Sequence, residues 1–160
     1  MAAIQAQQNV HHSPWSDRIT IESGDFLNYT PSSPFDYLIS NPPYFFHSLP
    51  SPDQKRNLAR HQTRLDRLAL AGRAALLSDP HASLGLILPF ETKYPLLPGW
   101  HLHKVCQIRS YNQNPWKRVL LEYQKQPQSD CITTDKLTIY EEKKYSSAFT
   151  SLTRDFYLNF

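Results

Sequence analysis

The segment FDYLISNPPYFF, residues 35–46, constrains the fold of this chain more than any other stretch. It begins with a short apolar run interrupted by one Asp, which is typical of a buried strand in a parallel sheet. Two consecutive prolines end that strand, because proline has no N–H for the sheet ladder and fixes φ near about −65°. The sequence therefore predicts a strand that stops in a rigid elbow, which holds the amide of Asn41 and the phenol of Tyr44 just beyond it.

The rest of the chain alternates between helical and strand patterns. Helices are predicted over 2–10 and 64–78 and from an N-cap at Ser146 or Ser147, and strands over 18–22, 35–39, 84–88, 100–111, 117–124 and 136–142. The strands at 100–111 and 117–124 are joined by NQNP, which predicts an antiparallel hairpin at the sheet edge. This order predicts one α/β domain over 1–160, a doubly wound sheet that closes with the hairpin.

Composition sets looser limits on function. The 160 residues carry a net charge of +3, which allows an anionic partner without requiring one. Cys106 and Cys131 match no metal or disulfide spacing, which indicates a reducing compartment. No apolar run reaches the roughly 18 residues of a membrane helix, no signal peptide opens the chain, and the seven histidines form no spaced ligand set. The sequence predicts a cytoplasmic protein with no metal and no membrane partner.

Polar groups follow two of the predicted strands. Asp25 and Asn41 each stand just beyond a strand's carboxyl end, where doubly wound sheets bind ligands. The Asn41 side chain and the Pro42 carbonyl offer two acceptors side by side, which suit an exocyclic amino group with two hydrogens. Tyr44 adds a flat face for a planar ring. The elbow is therefore predicted to bind an amino group on an aromatic base.

The segment DYLISNPPY resembles the [DNS]-P-P-[YFW] motif of class I S-adenosylmethionine-dependent amino-methyltransferases. The resemblance extends through NVHHSPWSDRITIESGDF, ARH, KRVLLEY and SLTRDFYLNF to the tRNA1(Val) adenine N6-methyltransferase family, whose members methylate the adenosine beside the anticodon. It implies a Rossmann-like sheet with an antiparallel C-terminal hairpin, S-adenosyl-L-methionine as cofactor and the anticodon loop of tRNA as partner.

The resemblance also implies roles for individual residues. Asp25 and Phe26 would hold the adenine end of the cofactor, and Asn41 would contribute to cofactor binding as well as to catalysis. The catalytic elbow would consist of Asn41, Pro42 and Tyr44. The remaining residues of the elbow, expected on the substrate side, are Pro43 and Phe45.

Basic residues flank the elbow in the sequence. Most of the arginines between 56 and 73 fit an ordinary solvated face. Those directly after the elbow, and a basic pair at the predicted hairpin, are also candidates for phosphate contacts. These substrate-binding candidates are Arg56, Arg60, His61, Lys117 and Arg118.

The chain departs from the family pattern in one respect. It has 4 glycines and no G-x-G-x-G, the loop that the family carries after its first strand. The resemblance therefore covers about the last two-thirds of a family member, as expected of a fragment, a misassigned start or a degenerate paralogue. We expect the first two strands to be absent, cofactor binding to be poor, and the segment DYLIS to have an open edge suited to self-association.

Two other kinds of function fit the same residues. Glutamine N5-methyltransferases acting on release factors and DNA adenine methyltransferases use a similar elbow, although the DNA enzymes usually carry a recognition domain for which no residues are spare. The second alternative is a non-catalytic remnant that binds RNA or a partner.

Overall fold

The computed structural model describes residues 2–42, 68–92, 94–127, 129 and 131–156. The chain divides into two compact units, residues 1–30 and 31–160. The helices are α1 (Ala2–His11), α2 (helical over the described residues 68–76) and α3 (Ser147–Thr153), with a 3-10 turn at Phe26–Asn28. The strands are β1 (Phe35–Ser40), β2 (Ser78–Pro89), β3 (His101–Arg109), β4 (Arg118–Gln124), β5 (Thr133–Thr138), β6 (Tyr140–Glu141) and β7 (Lys144–Tyr145).

In the first unit the predicted N-terminal helix forms and the predicted strand does not. The hydroxyl of Ser13 donates to the Val10 carbonyl at 2.8 Å, and the proline that follows cannot continue the helix. Residues 18–22 have no strand structure, and the side chain of Ile19 is 42% exposed. That prediction is wrong because alternating apolar residues specify only a face to bury. A strand also needs a neighbour for its backbone groups, and none of the described strands supplies one.

The second unit contains a five-stranded sheet in the order β1-β2-β4-β3-β5. The pairs β1–β2 and β3–β5 are parallel, whereas β4 is antiparallel to both β2 and β3. Four strands therefore run in one direction and β4 runs against them. As a result, β1, β2, β3 and β5 all end at one edge of the sheet, and β4 begins there; we call this edge the carboxyl edge.

The pairing confirms most of the predicted strands and corrects one placement. Strands β3 and β4 form the predicted antiparallel hairpin, but it is not at the sheet edge, because β5 pairs with β3 on its far side. Short connections predict that two strands pair, but not which neighbours they take. At the other end, β1 pairs with β2, and no further described strand pairs with β1. The predicted edge position of DYLIS therefore holds for the described residues.

The core lies on one face of this sheet. Opposed residues of β2 and β4 point into it together, and Val105 of β3 joins them; the pairs are Leu84 with Tyr123, Leu86 with Leu121 and Leu88 with Val119. Helix α2 contributes the buried side chains of Ala71 and Ala74, whose small size lets a helix approach a sheet closely. Trp100 is also buried, and its indole Nε1 donates to the Ala71 carbonyl at 2.9 Å. The core therefore holds α2 against the centre of the sheet.

Ser146 connects the end of β5 to α3. Its hydroxyl donates to the Thr138 carbonyl at 2.6 Å and accepts from the Phe149 N–H at 3.1 Å, while its own N–H donates to Ile139. The residue is buried and has the extended backbone of an N-cap, so of the two predicted caps, Ser146 and Ser147, the structure selects Ser146. One side chain thus fixes where the last helix begins and to which strand end it is attached.

Replacing Ser146 with Ala should lower the free energy of unfolding by about 1–2 kcal/mol, because the cap bond and the bond to Thr138 are lost together. Ser147→Ala is the matched control, since Ser147 is exposed and is the first residue of the helix, so its replacement leaves the cap in place. Urea denaturation of both variants measures the difference. Equal stabilities would show that Ser146 does not anchor α3.

Candidate active site at the carboxyl edge

The elbow lies directly beyond β1. The strand ends at Ser40, which pairs with Leu86 of β2, and Asn41 follows as an exposed residue at the carboxyl edge. Pro42 is buried, so the described start of the elbow is packed against the unit. The remaining predicted elbow residues, Pro43, Tyr44 and Phe45, lie outside the described residues.

Asn41 lines a cavity of about 800 Å³ on the face of the sheet opposite the core. The floor is made by the alternate residues of the strands that the core does not use. Most of the lining is apolar, and several side chains remain exposed to solvent: Ile39 at 82%, Tyr37 at 54%, Leu152 at 65% and Leu120 at 41%. The face is suited to covering a flat or apolar group.

Gly85 gives this cavity its shape near β1. A Cβ on Gly85 would lie 3.2 Å from the Tyr37 hydroxyl and 3.5 Å from Cγ1 of Ile39, so the missing side chain leaves room for the phenol to lie across β2. The pKa of the Tyr37 hydroxyl is raised, first by burial of that end of the ring and second by the charge of Glu122. Tyr37 is therefore a neutral hydrogen-bonding group near the elbow.

The far side of the cavity is more polar. The Lys104 ammonium lies 3.0 Å from the Asp135 carboxylate, and the hydrogen bond between them raises the pKa of Lys104. Both groups are about half exposed, so the pair contributes little to stability. Burial raises the pKa of the neighbouring Cys106 thiol, which makes that thiol a poor nucleophile at neutral pH.

Asp25 and Phe26, the predicted cofactor residues, lie in the first unit. Asp25 caps the 3-10 turn: its Oδ1 accepts from the Leu27 N–H and its Oδ2 from the Asn28 side chain, both at 3.0 Å. The carboxylate is exposed, and each oxygen keeps a second lone pair. Asp25 can therefore cap the turn and accept a hydrogen bond from a ligand amino group at the same time.

Two of the predicted phosphate contacts lie at the carboxyl edge. Lys117 and Arg118 are both exposed at the start of β4, where an Arg118 guanidinium N–H donates to the Lys117 carbonyl at 3.1 Å. The other three predicted contacts, Arg56, Arg60 and His61, lie outside the described residues.

The described residues also bear on metal binding and on membrane spanning. Within the described ranges, no cluster of three or more His, Cys, Asp or Glu side chains could hold a metal ion. None of the helices formed by those residues has the length and apolar character needed to cross a bilayer.

The sequence patterns do not predict the cavity. They place Tyr37, Gly85 and Glu122 at ordinary strand positions, and a glycine between two leucines resembles part of a buried run. The period-of-two pattern does contain the signal, since Gly85 lies between the core residues Leu84 and Leu86 and so faces the other way. The pattern does not contain the register between β1 and β2, which places the Tyr37 ring over Gly85.

No protein-family model matches the chain. Among solved structures, one titled a predicted O-methyltransferase from Agrobacterium tumefaciens superposes with a TM-score of 0.67, covering 95% of this chain and 72% of that one at 16% sequence identity. At that identity the likeness concerns the fold alone. The structure has the α/β fold of a class I methyltransferase, with an antiparallel hairpin in an otherwise parallel sheet, as predicted.

Curated relatives narrow the class to a family. A protein of Phocaeicola vulgatus is 39% identical over 99% of this chain and 69% of its own length, and one of Vibrio campbellii is 35% identical over 99% and 68%. Both are named tRNA1(Val) (adenine(37)-N6)-methyltransferase. The chain belongs to the tRNA1(Val) (adenine(37)-N6)-methyltransferase family, which confirms the predicted family.

The cavity geometry predicts a titration shift. Glu122→Gln should lower the pKa of Tyr37 towards its ordinary value, while burial still holds it above that value. Because folding raises this pKa, the stability that Tyr37 contributes is fully present below pH about 10 and is lost as the pH rises further. The Glu122→Gln variant should therefore lose less stability in alkali than the unmodified chain. NMR titration of ¹³C-labelled tyrosine rings measures the shift, with Glu91→Gln as control. An unchanged Tyr37 pKa in Glu122→Gln would contradict the geometry.

Proposed function

We propose that this chain is an S-adenosylmethionine-dependent tRNA methyltransferase that acts on N6 of adenosine 37 in tRNA1(Val). Relatives that are 39% and 35% identical to this chain are named as methyltransferases of adenine 37, at N6, in tRNA1(Val). The structural observation that supports it is the position of Asn41 and Pro42, directly beyond β1 at the carboxyl edge. Ligands of doubly wound sheets bind at this edge.

The elbow offers the chemistry that this reaction needs. The adenine N6 lone pair is delocalised into the ring, so the amine is a poor nucleophile. Acceptors at the Asn41 side-chain carbonyl and the Pro42 backbone carbonyl would bind the two N6 hydrogens and stabilise the positive charge that develops on nitrogen. They would also orient the lone pair away from the elbow. Neither a metal ion nor a covalent intermediate is required.

The base must leave its stack to reach the elbow. Loop bases of RNA are partly unstacked already, which lowers the cost of extruding one. Tyr44 would stack on the extruded adenine, with Pro43 and Phe45 beside it as substrate contacts. The basic residues Arg56, Arg60, His61, Lys117 and Arg118 would contact phosphates, which add affinity without reading sequence.

The methyl donor, S-adenosylmethionine, supplies an electrophilic methyl group when it is bound. Asp25 fits its adenine amino group, because both carboxylate oxygens keep a free lone pair after capping the turn. Phe26 would flank the adenine ring, and Asn41 would lie on the side of the transferred group. Asp25 and Phe26 would contact only the adenine end, and the sequence has no G-x-G-x-G loop of the kind that the family carries after its first strand.

Asn41→Ala should lower the single-turnover methylation rate by about 10²–10³, because it removes an acceptor aimed at charge that develops in the transition state. RNA affinity should change little. Asn9→Ala, an exposed asparagine in α1, is the control. Methyl transfer from radiolabelled donor to a tRNA1(Val) transcript measures the rate, and filter binding measures the affinity.

The same assay should include a glutamine-bearing release-factor peptide and a transcript in which adenosine 37 is replaced. Methylation of the transcript at adenosine 37 is the expected result. Methylation of the peptide alone would replace the proposed function with glutamine methylation. A folded chain that modifies neither substrate would support the non-catalytic alternative.

Calorimetry should detect S-adenosylmethionine binding that is weaker than low micromolar, since Asp25 and Phe26 address only one end of the molecule. Asp25→Ala should abolish this binding, and Asp25→Asn should weaken it while keeping an oxygen for the Leu27 cap. The matched control is Asp79→Asn, a half-buried Asp in β2 whose Oδ1 also accepts from a backbone N–H two residues on, that of His81 at 2.9 Å. Tight binding that does not depend on Asp25 would refute this assignment of the cofactor residues.

A further inference from the structure

Four aromatic rings form a continuous stack beside the carboxyl edge. Tyr111 stacks on Tyr140 with centroids 5.3 Å apart, Tyr140 on Tyr145 at 5.0 Å, and Tyr145 on Phe149 at 5.1 Å, with interplanar angles of 19–29°. The rings come from the loop after β3, from both strands of the β6–β7 hairpin and from α3. We call this set the aromatic stack. It holds three elements together, but Tyr111 and the hairpin also border an open groove.

The groove has a volume of about 870 Å³ and lies between residues 111–113 and 140–145. Its lining combines groups that hydrogen-bond to a base with charged groups of both signs. The loop side carries the side-chain amides of Asn112 and Gln113, and the hairpin side carries the ammonium groups of Lys143 and Lys144 together with the carboxylates of Glu141 and Glu142. Tyr111 lies at the end of the described stack and also lines the groove.

A hydrogen-bond network fixes the loop side in advance. The Arg109 guanidinium donates to the Asn112 carbonyl at 2.7 Å and to the Asn112 Oδ1 at 2.8 Å, and the Thr138 hydroxyl donates to the same Oδ1 at 3.1 Å. The side-chain oxygen of Asn112 is thereby occupied, which directs its N–H₂ group outward as a donor. Arg109 is itself held 4.5 Å from the ring centre of Trp116. Such preorganisation lowers the cost of ordering a binding site.

The hairpin side has an unusual backbone. The turn residues Glu142 and Lys143 have φ of 45° and 68°, a left-handed conformation that a two-residue hairpin turn normally assigns to Asn-Gly. Side chains other than Gly or Asn are disfavoured there. Lys144 lies opposite Glu141 in the hairpin register, so their charges partly offset each other. Lys143 at the turn has no ion-pair or hydrogen-bond partner among the described residues, and we take the strained turn as the means of presenting it.

The groove and the elbow lie along the same edge of the sheet. Both β1 and β3 end there, with β2 and β4 between them. Three strand spacings of about 4.8 Å put the ends of β1 and β3 roughly 14 Å apart. The start of β4, with Lys117 and Arg118, lies between them. A single RNA loop can therefore reach the groove and the elbow together.

We propose that this groove is a second RNA-binding site, which takes one unpaired nucleotide of the substrate outside the elbow. The base stacks on Tyr111 at the end of the aromatic stack, the amides of Asn112 and Gln113 bind its edge, and Lys143 contacts its phosphate. Aromatic rings combined with cations are the usual means of holding single-stranded nucleic acid. The inference rests on the proposed function for its ligand class, and its test uses binding rather than methylation.

The test is fluorescence anisotropy of the 160-residue chain with a labelled anticodon stem-loop RNA, in the absence of methyl donor. Tyr111→Leu should weaken binding by about 5- to 150-fold, the equivalent of losing a base–aromatic stack of ~1–3 kcal/mol. Tyr111→Phe keeps the ring and should bind within about twofold of the unmodified chain, since stacking needs no hydroxyl. Tyr94→Leu is the matched control, because Tyr94 is partly exposed and precedes the opposite end of β3.

A second variant separates binding from folding. Glu142→Asn with Lys143→Gly installs the preferred turn sequence, so the hairpin should be kept or stabilised. The net charge of +3 is unchanged, because one cation and one anion are removed together. We expect several-fold weaker RNA binding and a salt dependence of log K reduced by about 0.7, the loss of one phosphate contact on a single strand. If only the overall charge mattered, this variant would bind as well as the original.

The outcomes distinguish this inference from the proposed function. Variants that lose RNA affinity in a chain that transfers no methyl group support the groove and contradict the proposed activity. A Tyr111→Leu variant that melts earlier but binds RNA normally below its melting temperature would make the stack purely structural. Equal affinity for the stem-loop and for a fully paired RNA duplex would also overturn the proposal, as would no detectable RNA binding.

Discussion

The carboxyl edge depends on the backbone of Lys117. Its N–H donates to the Ile108 carbonyl at 2.9 Å, and its own carbonyl accepts from the Phe90 N–H at 3.1 Å. The backbone of this one residue therefore ties the start of β4 to the ends of β2 and β3. Since β4 runs against its neighbours, a chain that enters here delivers its basic residues to the edge where the other strands finish. The elbow, the basic pair and the groove share an edge because of this reversed strand.

The sequence patterns predicted the elements that local chemistry determines. The run before Pro42 identified β1, and the N-cap predicted at Ser146 or Ser147 identified the start of α3 to within one residue, because a proline and an N-cap act on their immediate neighbours. The strand predicted at 18–22 failed because its pattern says nothing about a partner. The prediction that the hairpin lies at the sheet edge is wrong for a related reason. The strand that pairs with the far side of β3 is β5, which follows β4 in the chain, so the hairpin sequence does not reveal it.

The residues of the candidate site also fall into two groups: those that the local sequence predicts and those that depend on strand pairing. Asn41 could be identified from its place after an apolar run, which requires no knowledge of distant residues. Tyr37 over Gly85, in contrast, requires the parallel register of β1 and β2. The aromatic stack could not be predicted from the sequence either. Tyr140 and Tyr145 become neighbours only when Glu142 and Lys143 take a left-handed turn that their side chains disfavour. Their sequence alone argues against the turn that brings the rings together.

The solvent-exposed apolar face of the sheet has a thermodynamic consequence. Ile39 and Leu120 on this face, and Leu152 of α3 beside it, are already partly or largely hydrated in the folded chain. Because the heat capacity of unfolding scales with the apolar surface that becomes newly exposed, these side chains add little to it. The stability curve of the chain is correspondingly flatter than that of a domain with both sheet faces covered. Any ligand or polypeptide that covers this face would steepen the curve, so the heat capacity of unfolding reports directly on its occupancy.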